Sequence, residues 1–173
     1  MNLAHIRQGG LTLIELMIGA AILVIAMVSL LGAFMAQMTF NEHSRNHALA
    51  TNDATRVMEQ LRRQNSGASC TSPSAAAPGG FASWDAWLAD TSANGGGGKS
   101  VQPNPAANEL VVVTSSGNEP LTVTAAVCWR ERSRTIGECT WNGASLAANP
   151  GAGGNPAVTE SPAMLSTFMT CRR

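Results

Sequence analysis

No proline occurs between Leu11 and Arg63, and that absence constrains the fold more than any other feature of the chain. Proline inside a helix removes a hydrogen bond and costs about 3 kcal/mol. All eight prolines lie at or after Pro73. The proline-free stretch predicts one long helix with two unlike halves. From Leu11 to Ala36 it is almost wholly apolar, and its single charge is the carboxylate Glu15. At 1.5 Å per residue this half reaches about 39 Å, enough to span a hydrocarbon core of roughly 30 Å. An acidic residue at the centre of a membrane helix costs roughly 3 kcal/mol, so a lone carboxylate there marks a functional position. A partner for it arises if the chain is cut after Gly10. Leu11 then carries a new cationic amine, one helical turn from Glu15.

The second half, residues 37–66, is amphipathic. Ala50, Ala54, Val57 and Leu61 follow the i, i+4, i+7, i+11 spacing of one helix face. Glu59 can pair with Arg62 or Arg63 a turn later, and those arginines suit the negative end of the helix dipole. Asn65, Ser66 and Gly67 stop the helix. Gly19 and Gly32 permit local softening of the apolar half without requiring it.

Composition changes sharply after this point, with thirteen of the seventeen glycines at or after Gly67. Residues 67–173 predict a separate globular part. Phe81 to Leu88 reads as a short helix with Trp84 and Leu88 on one face. Glu109 to Thr114, with Val111, Val112 and Val113, reads as a buried strand. From Leu121 to Arg130 the pattern alternates, placing Leu121, Val123, Ala125, Val127 and Trp129 on one side. Further strands are expected at Cys139 to Trp141 and Leu165 to Thr170. Asn94 to Gly98 and Asn149 to Asn155 read as flexible loops. The expected fold class is α+β, a long N-terminal helix followed by a small antiparallel sheet.

Several signals of catalysis or binding fail on context. Ala93 to Ser100, Ala-Asn-Gly-Gly-Gly-Gly-Lys-Ser, satisfies a permissive phosphate-loop pattern. Such a loop needs a strand before it and a helix after it, but a Trp-containing helix precedes it and Pro103 and Pro105 follow. His43 and His47 have a zinc-compatible spacing but no third ligand, so an exposed polar helix face is expected. There is no Gly-x-Ser-x-Gly, and no catalytic residues, metal or cofactor are expected. The 11 basic and 11 acidic residues include one lysine, Lys99, and offer no global attraction to nucleic acid or anionic lipid. Arg130, Arg132 and Arg134 alternate, so one extended segment would present three guanidiniums together, with Arg172 and Arg173 near them. A solvated strand end balanced by Glu131 and Glu138 is the expected reading.

The start of the chain carries a more specific signal. Met1 to Gly10 is a short leader with Arg7 and nearby His5 but no apolar core of its own, unlike a standard secretory signal. It is followed by Leu11, Thr12, Leu13, Ile14 and Glu15 and then by the apolar run. In order and spacing this resembles the class III signal of type IV prepilins and pseudopilins, with Leu11 in place of the usual Phe. The segment Thr122 to Glu131, Thr-Val-Thr-Ala-Ala-Val-Cys-Trp-Arg-Glu, together with Cys70 and the Trp-containing helix, resembles minor pilins of the PilV group. The resemblance implies cleavage between Gly10 and Leu11 by a prepilin peptidase and N-methylation of Leu11. It also implies assembly contacts through Thr12 and Glu15, with Glu15 neutralising the Leu11 amine of a neighbouring subunit.

The implied partners are that peptidase, other pilin subunits and the inner-membrane assembly machinery. The implied location is the inner membrane, with a periplasmic C-terminal part, and then the pilus. A pseudopilin of a secretion or DNA-uptake system shares all these features. A tethered binding module that never polymerises is the alternative of a different class. Loops at Asn94 to Gly98 and Asn149 to Asn155 suit a rare subunit better than one tiled repeatedly.

Cys70, Cys128, Cys139 and Cys171 all lie in the part that the resemblance exports. An even count in an oxidising compartment implies two disulfides, with three connectivities open. Cys70–Cys128 with Cys139–Cys171 is the expected pairing, since the latter closes a C-terminal loop such as many type IV pilins carry. A Cys128–Cys139 bridge across a hairpin competes with it.

Overall fold

The computed structural model describes residues 12–67, 70–101, 108–149 and 160–171. The expected leader, Gly10 and Leu11, the prolines at 103 and 105, most of the 149–155 loop, and Arg172 and Arg173 lie outside them. The chain forms two compact units, Met1–Glu42 and His43–Arg173, and helix α1, Leu13–Gln64, contributes to both.

In the first unit α1 is solvent-exposed along its length, and its large apolar side chains run from Leu13 to Phe40. The helix is long and apolar enough to cross a membrane. Its start is set by Thr12, whose Oγ1 accepts a hydrogen bond from the Glu15 N–H at 3.3 Å. That bond satisfies one of the amides left unpaired at a helix N-terminus.

In the second unit α1 becomes one wall of a core. Ala50, Ala54, Val57 and Leu61 are each 0% exposed, as their spacing predicts. They share a cluster with Leu121, Val123, Ala125, Val127 and Trp129 of β2, Leu121–Glu131. This strand is the centre of an antiparallel sheet. On one side it pairs with β1, Glu109–Ser116, in the register Val111↔Val127. On the other it pairs with β6, Ala163–Met169, through Val123↔Thr167, and with β3, Arg134–Ile136, through Glu131↔Arg134. A separate two-stranded sheet joins β4, Cys139–Trp141, to β5, Leu146–Ala148. The observed class is α+β.

The short helix α2 is Trp84–Ala89, not Phe81 to Leu88, because Ser83 caps it by accepting the Ala86 N–H at 3.1 Å. Trp84 and Trp87 stand edge to face, 5.5 Å between centroids. Their indoles donate to Ala75 O and Asn94 O at 2.8 and 3.1 Å, which satisfies the polar end of each ring inside the core.

Candidate functional site

In the first unit Glu15 is the one Asp, Glu, Lys or Arg between Thr12 and Asn41. It occupies the third position of α1, and its main-chain N–H donates to Thr12 Oγ1, the N-cap half of a Thr-x-x-Glu pattern. A carboxylate in the first turn also faces the positive end of the helix dipole. The structure therefore brings the Thr12 side chain to the Glu15 main chain at the helix start. The Thr-x-x-Glu spacing is the signal from which sequence reasoning could have read the cap. Gly19 and Gly32 have nothing within 4 Å of an added Cβ, so neither is required by packing within one chain.

A second constellation was not anticipated. Asp53 of α1 is 0% exposed and sits beneath the glycine loop. Its Oδ2 accepts the Ser100 N–H at 2.7 Å, and its Oδ1 accepts the Ser100 hydroxyl at 2.7 Å. Arg56 also bonds to Asp53. The same guanidinium donates to Gly96 O at 2.6 Å and to Gly98 O at 2.8 Å. The loop is fixed from its other side as well. Gly96 N, Gly97 N and Gly98 N donate to Trp87 O, Asp90 O and Leu88 O. The expectation of a flexible Asn94 to Gly98 loop is therefore corrected: main-chain bonds to α2 and a guanidinium fork hold it. Glycine is needed at 96, where a Cβ would lie 2.6 Å from the Leu88 Cα. Asp53 and Arg56 escaped sequence reading because an i, i+3 pair on a helix usually sits on a solvated face.

Lys99 of the phosphate-loop-like motif points into the protein. Its side chain is 5% exposed and its Nζ lies 2.7 Å from Asp85 Oδ1, and it donates to Glu109 O at 2.7 Å. It is engaged by the fold. Glu109 begins β1, is 1% exposed, and accepts the Val101 N–H on Oε2 at 3.1 Å. Its carboxyl is pushed up to about 8, first by burial and then by the hydrogen bond to and charge of Asp53.

His43 and His47 are partly exposed, the His43 side chain 45%, and the remainder of each ring packs on the second unit. Both rings flank Trp129, at 6.3 and 6.4 Å between centroids. His43 Nδ1 lies 3.2 Å from Glu131 Oε2, and His47 Nε2 lies 3.2 Å from Pro162 O. Among the described residues no group of three His, Cys, Asp or Glu side chains is placed to hold a metal.

The arginine series is not one extended segment. Arg132 has φ 55° in the turn between β2 and β3, so Arg130 and Arg134 fall on different strands. Arg130 stacks 4.2 Å from the Trp141 centroid. Glu131 faces inward to His43 and is not a surface counter-charge.

All four cysteines are bridged, as Cys70–Cys171 and Cys128–Cys139. The expected pairing of Cys70 with Cys128 and Cys139 with Cys171 is corrected. Cys128 is on the face of β2 opposite Val127 and Trp129, and packs with Cys139, Leu146, Leu110 and Trp141. The core therefore separates it from the end of α1. Strand β6 instead runs toward that end, where Asn65 donates to Ser74 O at 2.9 Å and to Met169 Sδ at 3.5 Å. This places Cys171 beside Cys70, 5.5 Å between Cα atoms.

Compared with known proteins, the chain matches no family model, no curated protein and no solved structure.

Proposed function

We propose that this chain is a pilin-type assembly subunit, a minor type IV pilin anchored in the inner membrane and drawn into a filament through its N-terminal helix. The observation that carries the proposal is Glu15. It is the lone formal charge between Thr12 and Asn41, in the exposed apolar part of a helix long enough to span a membrane, one turn from the residue that cleavage after Gly10 makes N-terminal. Capping alone does not require a full charge at that position. In a dry core of packed helices, an unpaired carboxylate and an unpaired amine each carry a large desolvation cost, and breaking a buried pair costs about 3–5 kcal/mol. Glu15 and the methylated Leu11 amine of a neighbour would meet there. No catalytic role is part of this reading.

The test is Glu15→Ala in cells with an active prepilin peptidase and assembly machinery. Synthesis, cleavage to Leu11 and membrane residence stay intact, since the substitution removes a charge from lipid, while the chain disappears from sheared filaments. Incorporation at the wild-type level would reject the assembly contact and favour a membrane-tethered module that never polymerises.

A further inference from the structure

Inside the second unit the amides of two adjacent residues, Ser100 and Val101, donate to two different carboxyl groups, Asp53 and Glu109, and the surroundings of the pair neutralise only one of them. Asp53 of α1 collects the Ser100 amide, the Ser100 hydroxyl and the Arg56 guanidinium. Glu109 of β1 takes the Val101 N–H on Oε2, and among the described residues its buried Oε1 has no donor. The charged groups around the pair are Arg56 on the same helix, Lys99 on the loop, and Asp85 on α2, which is bound to Lys99. Arg56 and Lys99 balance Asp53 and Asp85. An ionised Glu109 is therefore a surplus negative charge, buried against a carboxylate. A hydrogen on Glu109 removes that charge and converts the contact into a hydrogen bond donated to Asp53.

We propose that Asp53 and Glu109 form a proton-dependent latch, which closes the Gly95 to Ser100 loop and the start of β1 onto α1 while a hydrogen is held between them and loosens as it is lost. The loop is the part released. Ser100 N and Val101 N donate directly to the two carboxyl groups, and Arg56 ties Asp53 to Gly96 O and Gly98 O. The upward displacement of the Glu109 carboxyl, to about 8, puts the change within a range that an exported domain meets. The latch is independent of the assembly reading.

The test uses the full chain in detergent micelles. Carboxyl-detected NMR follows Glu109 from pH 5 to pH 10, and hydrogen exchange follows the Ser100 and Val101 amides, each normalised to its intrinsic rate. Glu109 is expected to titrate near 8. Opening frees a group that then ionises in its ordinary range, so protection of the two amides falls by up to about tenfold per pH unit from about pH 5 to about pH 8, then levels off. In Glu109→Gln the side-chain amide still donates to Asp53 but does not titrate, so the normalised protection is flat. Titration of wild-type Glu109 below pH 6 would overturn the latch, as would parallel protection profiles in wild type and variant. If Glu109→Gln does not fold, the wild-type titration decides alone.

Discussion

His43 Nδ1 lies 3.2 Å from Glu131 Oε2, which joins α1 at the start of the second unit to the last residue of β2. The Glu131 side chain is 8% exposed, and the Trp129 indole N–H also donates to it at 3.5 Å. With Glu131 as a carboxylate, the imidazole nitrogen facing it carries the hydrogen. Removing the ring takes a hydrogen bond away from a buried carboxylate. His43→Ala is expected to destabilise the second unit by about 1–3 kcal/mol. A double-mutant cycle with Glu131→Gln in chemical denaturation checks this, and additive effects would show that the contact contributes nothing.

The two disulfides close loops of very different length, 101 and 11 residues apart in sequence. On the chain-entropy account the longer one stabilises by about 5 kcal/mol and the shorter by about 3. The Cys70→Ser, Cys171→Ser double variant is therefore expected to melt below the Cys128→Ser, Cys139→Ser variant. Non-reducing peptide mapping should recover Cys70 with Cys171 and Cys128 with Cys139.

Stability should depend on pH through Glu109. Its carboxyl is raised from 4.5 to about 8 in the folded chain, so between these values the folded state holds a proton that the unfolded state releases. The stabilisation is complete below the ordinary range and is lost as pH rises through the folded value. The slope is at most about 1.4 kcal/mol per pH unit. Denaturant midpoints measured from pH 5 to pH 9 should fall toward pH 8 in wild type, and much less in Glu109→Gln.

Thr12 and Glu15 separate capping from charge. Thr12→Ala removes the cap and costs about 1 kcal/mol of helix stability, yet leaves the carboxylate in place. It should reduce incorporation into sheared filaments far less than Glu15→Ala does. Equal losses for the two would assign Glu15 to capping alone.

Gly32→Ala and Gly96→Ala should behave in opposite ways. An added Cβ at Gly32 meets nothing within 4 Å, and alanine favours helix by about 1 kcal/mol, so helicity of the isolated chain should rise slightly. Any loss of filament entry would then report packing against a neighbour. At Gly96 the Cβ would press on the Leu88 backbone at 2.6 Å, and circular dichroism should show a lowered melting temperature. The abundance of the chain is a further check. Expectation of a rare subunit rested partly on a mobile Asn94 to Gly98 loop, which the fold holds in place, so proteomics of sheared filaments carries that question.

Local pattern determined much of the fold. The absence of proline and the apolar run specified α1, and the spacing of Ala50, Ala54, Val57 and Leu61 specified the face it buries. Alternation from Leu121 to Trp129 specified the core side of β2. These signals depend on helix and strand periodicity, which neighbouring residues impose on one another. Glu15 was legible for the same reason, since a charge in an apolar run stands out without any knowledge of its contacts. Tertiary structure alone decided which cysteines meet, because the pairing of β6 with β2 is what carries Cys171 to Cys70. It also decided that the glycine loop is hydrogen-bonded to Arg56 and to the main chain of residues 87–90, that Lys99 pairs with Asp85, and that Asp53 and Glu109 take adjacent amides. Those partners lie tens of residues apart, and only packing α1 against the sheet brings their carboxyl groups within reach and excludes the water that would otherwise solvate both.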